Sequence, residues 1–133
     1  MKNNKEISLK PPSNDHGRCP LQELLTRLGD KWSMLVIINL AEAANHRLRF
    51  SELMRSVNGI SQRMLTTTLR HLERDGILSR QLFPEVPPRV EYTLTERGLS
   101  LLSPVKALVA WVENQWPAIE KSRAAYDAKK DKN

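Results

Sequence analysis

Ser51 to Gly76, SELMRSVNGISQRMLTTTLRHLERDG, is the stretch whose reading decides the fold. Ser51 is a good cap for a short helix over Glu52 to Val57, with Leu53, Met54 and Val57 as its apolar positions. Asn58-Gly59 ends that helix, and Gly59 supplies a left-handed residue. A second helix starts at once. Ser61 is its N-cap, Ile60 is placed to staple onto Leu65, and the helix runs to about Asp75 before Gly76 stops it. On a helical wheel Leu65, Leu69 and Leu72, with Met64 and Thr68 beside them, form an inward face. Gln62, Arg63, Thr66, Thr67 and Arg70 form the other face, which carries no carboxylate before Glu73.

Outward from this pair the patterns alternate. On the N-terminal side, Cys19-Pro20 opens a helix with Leu21, Leu24, Leu25 and Leu28 at helical spacing, stopped by Gly29. Asp30 then caps a helix whose apolar residues, Trp32 to Leu40, crowd most of its circumference, as expected for a helix at the centre of a core. On the C-terminal side, Ile77 to Phe83 reads as a strand. Val90, Tyr92 and Leu94 alternate with Glu91 and Thr93 in a second, joined to the first by Pro84-Glu85-Val86-Pro87-Pro88. Thr95 caps a final helix with Leu99, Leu102, Val105, Leu108, Val109, Val112 and Trp116 as its stripe, and Pro104 is expected to kink or break it. The fold class is mainly α with a small antiparallel β-hairpin.

Composition narrows the function. The chain has 133 residues, 40% hydrophobic and 5% aromatic, which suits one domain with an aliphatic core. No apolar run approaches the roughly 18 residues that cross a bilayer, so no membrane role and a cytoplasmic location are expected. The single cysteine excludes an intramolecular disulfide framework. Residues 1–18 read as a flexible N-terminal arm, 19–120 as the domain, and 121–133 as a charged, frayed tail. The net charge is +6, and residues 47–89 hold eight arginines (Arg47, Arg49, Arg55, Arg63, Arg70, Arg74, Arg80 and Arg89) with no lysine. Arginine suits bidentate contacts to phosphate and guanine. A capped short helix, a Gly turn, an arginine-bearing second helix and a hairpin with Arg80 and Arg89 near its tip together read as a winged helix–turn–helix. Ser61, Gln62, Arg63, Thr66, Thr67 and Arg70 would then face the major groove of double-stranded DNA. Arg80 and Arg89 would reach phosphates or a narrow minor groove.

Several short motifs carry a resemblance along nearly the whole ordered chain. Cys19-Pro20, Leu28-Gly29-Asp30-Lys31-Trp32, Arg49-Phe50-Ser51-Glu52-Leu53, Gly59-Ile60-Ser61, Leu69 to Gly76, Pro87-Pro88-Arg89-Val90-Glu91-Tyr92 and Leu94-Thr95-Glu96-Arg97-Gly98 occur in this order. Over residues 19–116 the sequence resembles the HxlR family of bacterial winged-helix regulators. The resemblance implies transcription control by a homodimer joined through its first and last helices. Leu21, Leu24, Leu28, Leu108, Val112 and Trp116 are its candidate interface residues. A two-fold dimer in turn implies an inverted-repeat operator. Two departures stand out. Asp30 sits where a second glycine is commoner, and Ala43-Ala44-Asn45-His46 replaces a glycine-bearing turn.

Cys19 is a candidate thiol sensor, because a helix N-terminus favours the reactive thiolate of a cysteine and Arg18 is adjacent. The resembled family includes sensors of oxidants and electrophiles with a cysteine at this place. A purely structural Cys-Pro helix entrance is the other reading. A small-molecule effector beneath Trp32, Trp111 and Trp116 is a further one. No cofactor is expected. His16, His46 and His71 are scattered; His71 and Asp75 lack a third ligand in view, so a surface role is preferred over metal. No phosphate loop, nucleophile elbow or paired acid site is present, so no enzyme is expected. The alternative reading is a winged-helix interaction module whose arginine face meets an acidic protein. A protein groove would want aromatic or aliphatic anchors at positions 62–70.

Overall fold

The structure, a computed structural model, describes residues 19–131, and the arm expected over 1–18 lies outside the described residues. Two helices come first. Helix α1 spans Pro20–Leu28 and buries none of its residues. Helix α2 spans Lys31–Glu42 and buries Ser33, Val36, Ile37 and Leu40. Asp30 occupies the α2 N-cap position, but its side chain makes no capping hydrogen bond. The turn after α2 carries two consecutive left-handed residues, Asn45 (φ 57°) and His46 (φ 53°). Asn tolerates this geometry well. His46 is held there by an Nδ1 hydrogen bond to the Ala41 carbonyl at 3.1 Å.

A strand absent from the sequence reading follows. Strand β1, Arg47–Arg49, pairs antiparallel with the later strand over Arg89–Leu94, matching Leu48 to Tyr92. This strand moves the start of helix α3, Phe50–Ser56, upstream of the expected Ser51 cap. The chain leaves the sheet at Arg49, and the Glu52 carboxylate accepts from the Arg49 backbone N–H at 3.0 Å. Helix α4, Gln62–Arg74, begins as expected: the Ser61 hydroxyl accepts from the Met64 N–H at 3.1 Å. Gly59 (φ 86°) and Gly76 (φ 72°) bracket it in the left-handed region, which glycine enters without a Cβ penalty. Ile60, Leu65, Leu69 and Leu72 are all buried, joining Val36, Ile37, Leu40, Leu53 and Val57 in one core. Each such leucine contributes about 1.5–3 kcal/mol by leaving water. Met64 departs from its expected inward place and is 41% exposed, because the third helical residue lies at the rim of the buried face.

Strands β2, Leu78–Phe83, and β3, Arg89–Leu94, form the hairpin, and the sheet order is β1-β3-β2. Register pairs Leu78 with Leu94 at the buried end and Phe83 with Arg89 at the tip. Leu78, Tyr92 and Leu94 enter the core, whereas Ser79 to Leu82 face solvent.

The final helix is broken, but not at Pro104. Thr95 caps a short helix α5, Glu96–Ser100, and helix α6 runs Leu102–Asp131. Pro104 falls in the first turn of α6, where a helix has no use for the missing N–H. Pro117 lies inside α6, which continues past it. The tail expected to fray from residue 121 is therefore helical to Asp131, with its side chains in solvent. Of the expected stripe only Val105 is buried. Leu99, Leu108, Val112 and Trp116 are left uncovered, as is Trp111. Leu28, an interface candidate, is half-buried and packs against the edge of the core. Leu21, Leu24 and Leu25 stay exposed.

Candidate nucleic-acid interface

Helix α4 is fixed from behind and open in front. Its leucines and the buried Thr68 lock the inner face, so the outer side chains project from a rigid rod. Gln62, Arg63, Thr67 and Arg70 are exposed, and Thr66 is half-buried. Neither Arg63 nor Arg70 has a hydrogen-bond or ion-pair partner among the described residues. The N-terminal end of α4 also presents unpaired backbone N–H groups, which favour an anion nearby.

The two threonines use their hydroxyl hydrogens within the helix. Thr66 Oγ1 donates to the Gln62 carbonyl at 2.9 Å, and Thr67 Oγ1 donates to the Arg63 carbonyl at 3.0 Å. What remains free on each is a methyl group and acceptor lone pairs. The sequence reading offered these hydroxyls to a ligand as they stand. Local back-bonding of Thr to the carbonyl four residues earlier is the reason they are not free donors.

On the wing, the two candidate arginines differ. Arg80 is exposed and without a partner among the described residues. It shares a cleft of about 410 Å³ with Thr66, Arg70 and Glu73, so the helix and wing cations converge on one side. Arg89 is turned inward on the wing itself. Its guanidinium lies 4.2 Å over the Phe83 ring, with Nη2 3.2 Å from Glu85 and Nε 3.4 Å from Glu91. The Nε–Glu91 pair is too poorly aligned for a hydrogen bond. Glu91 is mostly buried and also meets Arg47 at 3.7 Å. Two carboxylates thus compensate Arg89, and the Arg47–Glu91–Arg89 cluster fastens the wing to β1. Sequence alone missed this because β1 was not recognised. The alternation of Arg47-Leu48-Arg49 was its one signal. Beneath the wing a groove of about 520 Å³ places Arg49 beside Glu85 and Arg89.

The other singled-out polar residues bind each other. Arg27 Nη1 donates to His71 Nδ1 at 2.7 Å, and its Nε lies 3.6 Å from Asp75. His71 and Asp75 therefore tie α1 to the end of α4. Cys19 is half-buried at the α1 N-cap and makes no capping hydrogen bond there.

A short helix and a rigid second helix across a left-handed glycine, with a three-stranded sheet carrying a proline-tipped hairpin, define a winged helix-turn-helix protein. The comparisons agree. The family described as HxlR-like helix-turn-helix matches residues 27–120. An HTH-type transcriptional regulator of Methanothermobacter thermautotrophicus is 45% identical over 98 residues, covering 74% of this chain and 72% of the relative. The solved transcriptional regulator ytfH from Salmonella typhimurium superposes with a TM-score of 0.74 at 36% identity, covering 85% of this chain and 99% of that one. The redox regulator HypR in its reduced form gives a TM-score of 0.69 at 37% identity, covering 77% and 98%. The chain belongs to the HxlR-like helix-turn-helix family. It is a transcriptional regulator and not an enzyme. No helix among the described residues is long and apolar enough to cross a membrane.

Proposed function

We propose that the protein binds double-stranded DNA sequence-specifically as a homodimer in the cytoplasm, with α4 in the major groove and the wing on phosphate or the minor groove. The observation that carries this reading is the outer face of α4: exposed Gln62, Arg63, Thr67 and Arg70, with both guanidinium groups free of internal carboxylates among the described residues. Such groups match base edges and phosphates. An acidic protein partner is the weaker reading, because Met64 is the one large apolar side chain exposed on this helix. The dimer rests on apolar surface that one subunit leaves in water, Leu21 and Leu24 on α1 with Leu108, Val112 and Trp116 on α6.

Selection of bound duplexes from a random pool at physiological salt tests the whole reading. An inverted repeat is expected, with half-sites about one helical turn apart, roughly 10 base pairs. Failure to enrich any sequence would remove the DNA assignment, and an asymmetric single site would remove the dimer.

The wing separates into two expected outcomes. Arg80→Ala is expected to lower the salt dependence of binding by about one unit of slope per wing, as for one lost phosphate contact. Arg89→Ala is expected to leave that slope nearly unchanged, because Glu85 and Glu91 already compensate the charge. Titrations of both variants from low to high salt check this, and the opposite ranking would transfer the phosphate contact to Arg89.

For regulation we place an oxidant- or electrophile-responsive thiol at Cys19. Its support is a position at a helix N-terminus without a capping bond, and a family neighbour named as a redox regulator. With one cysteine per chain, oxidation would link two subunits or leave an adduct. Cys19→Ser is expected to abolish the response of DNA binding to diamide or a quinone while keeping the affinity of the reduced protein. If wild-type binding ignores both reagents, Cys19 only packs.

A further inference from the structure

The direction of the two threonine hydroxyls on α4 says what Thr67 is able to read. Thr67 is exposed and lies in one row with Arg63, four residues before it, and Arg70, three after it, so the three side chains meet adjacent positions of any surface laid against the helix. Its hydroxyl hydrogen is donated to the Arg63 carbonyl at 3.0 Å. Thr66 is committed in the same way but faces the cleft toward Arg80. A committed hydroxyl cannot donate to guanine O6 or N7, adenine N7 or thymine O4 without leaving an exposed helix carbonyl to water. What Thr67 holds free is its methyl, together with the acceptor lone pairs of the hydroxyl. In the major groove the apolar feature of a base pair is the thymine 5-methyl.

We propose that Thr67 is a specificity-determining residue that recognises a thymine through methyl-to-methyl contact, beside a base pair read by Arg63. The inference rests on the reading of α4 as the DNA-facing helix and deepens it. Methyl burial is worth a small, definite factor, about fourfold in affinity per half-site and roughly fifteenfold when both half-sites of a dimer lose it.

The test uses uracil, which lacks only the methyl. A duplex enriched from a random pool is prepared with thymidine and again with deoxyuridine at each T in turn, and both are titrated with three full-length proteins. Wild type is expected to prefer thymidine at one position of each half-site by about the factors above. Thr67→Val keeps a methyl and loses the hydroxyl, and is expected to retain that preference. Thr67→Ser keeps the hydroxyl and loses the methyl, and is expected to bind both duplexes alike. Val and Ser have helix propensities close to that of Thr, and equal thermal midpoints for the three proteins show that the helix is intact. No enrichment of any duplex would fail the DNA reading itself. Enrichment with equal affinity for thymidine and deoxyuridine throughout would leave that reading standing and overturn the methyl contact. Loss of affinity in Thr67→Val with none in Thr67→Ser would overturn it too, in favour of the hydroxyl as an acceptor.

Discussion

The double variant Arg63→Ala, Arg70→Ala is expected to lose about a thousandfold or more in affinity for the selected duplex, with each arginine contributing about 1–3 kcal/mol in each of two half-sites. Its thermal midpoint is expected to move by no more than about 5 °C, since each substitution on an exposed surface usually stays within about 0.5 kcal/mol. The two halves of this expectation come from the same geometry. Both guanidinium groups stand on the solvent side of α4 without an internal partner among the described residues, so alanine removes nothing that holds the subunit together. Alanine also has the higher helix propensity. Fluorescence anisotropy with labelled duplex and a circular-dichroism melt provide the two readings. Unchanged affinity in the double variant would mean that another surface meets DNA. A large fall in melting temperature would mean that the arginines serve the fold.

The second large effect is on stability and lies far from the ligand surface. Gly98→Ala is expected to lower stability by at least about 2 kcal/mol and the melting temperature by about 10 °C, through steric overpacking. Gly98 is buried where α5 crosses the start of β2. A Cβ there would collide with the Ile77 carbonyl oxygen and press on Leu94. The obstacle is backbone and has no rotamer to give. The Thr95 hydroxyl fixes the approach, sharing its one hydrogen between the Gly76 and Ile77 carbonyls and accepting from the Gly98 N–H at 3.1 Å. Displacing α5 would break that cap and shift the root of the wing. Comparison of melts for Gly98→Ala and the wild type checks the expectation, and an unchanged midpoint would show that α5 moves away freely.

How far the fold was legible depended on the range of the interactions. The α3–turn–α4 unit is set by neighbours: the Ser61 cap, the Gly59 and Gly76 turns, and leucines at helical spacing. All of these follow from positions a few residues apart. Strand β1 is three residues long and exists because it pairs with β3 more than forty residues later, which no local pattern records. The position of the break before α6 is similar. Pro104 was the visible breaker, yet a proline in a first turn is harmless, and the chain turns at Leu101 instead.

The candidate site shows the same division. The outer face of α4 follows from periodicity once its inward leucines are identified, so Gln62, Arg63, Thr67 and Arg70 emerge together. What periodicity cannot give is the partner of each polar group. Arg80 and Arg89 look equivalent in sequence, but Arg80 has no partner among the described residues and Arg89 is shared between Glu85 and Glu91. The hydroxyls of Thr66 and Thr67 look available, and each is bound within its own helix.

The internal neutralisation of Arg89 also bears on how the molecule approaches a polyanion. Long-range attraction scales with uncompensated charge, and on the proposed DNA-facing side that charge stands at Arg63, Arg70 and Arg80 rather than at Arg89. On the proposed reading, a distant phosphate lattice would therefore turn the helix toward it first. The proline-stiffened tip would then settle by shape, at short range and with little help from low ionic strength.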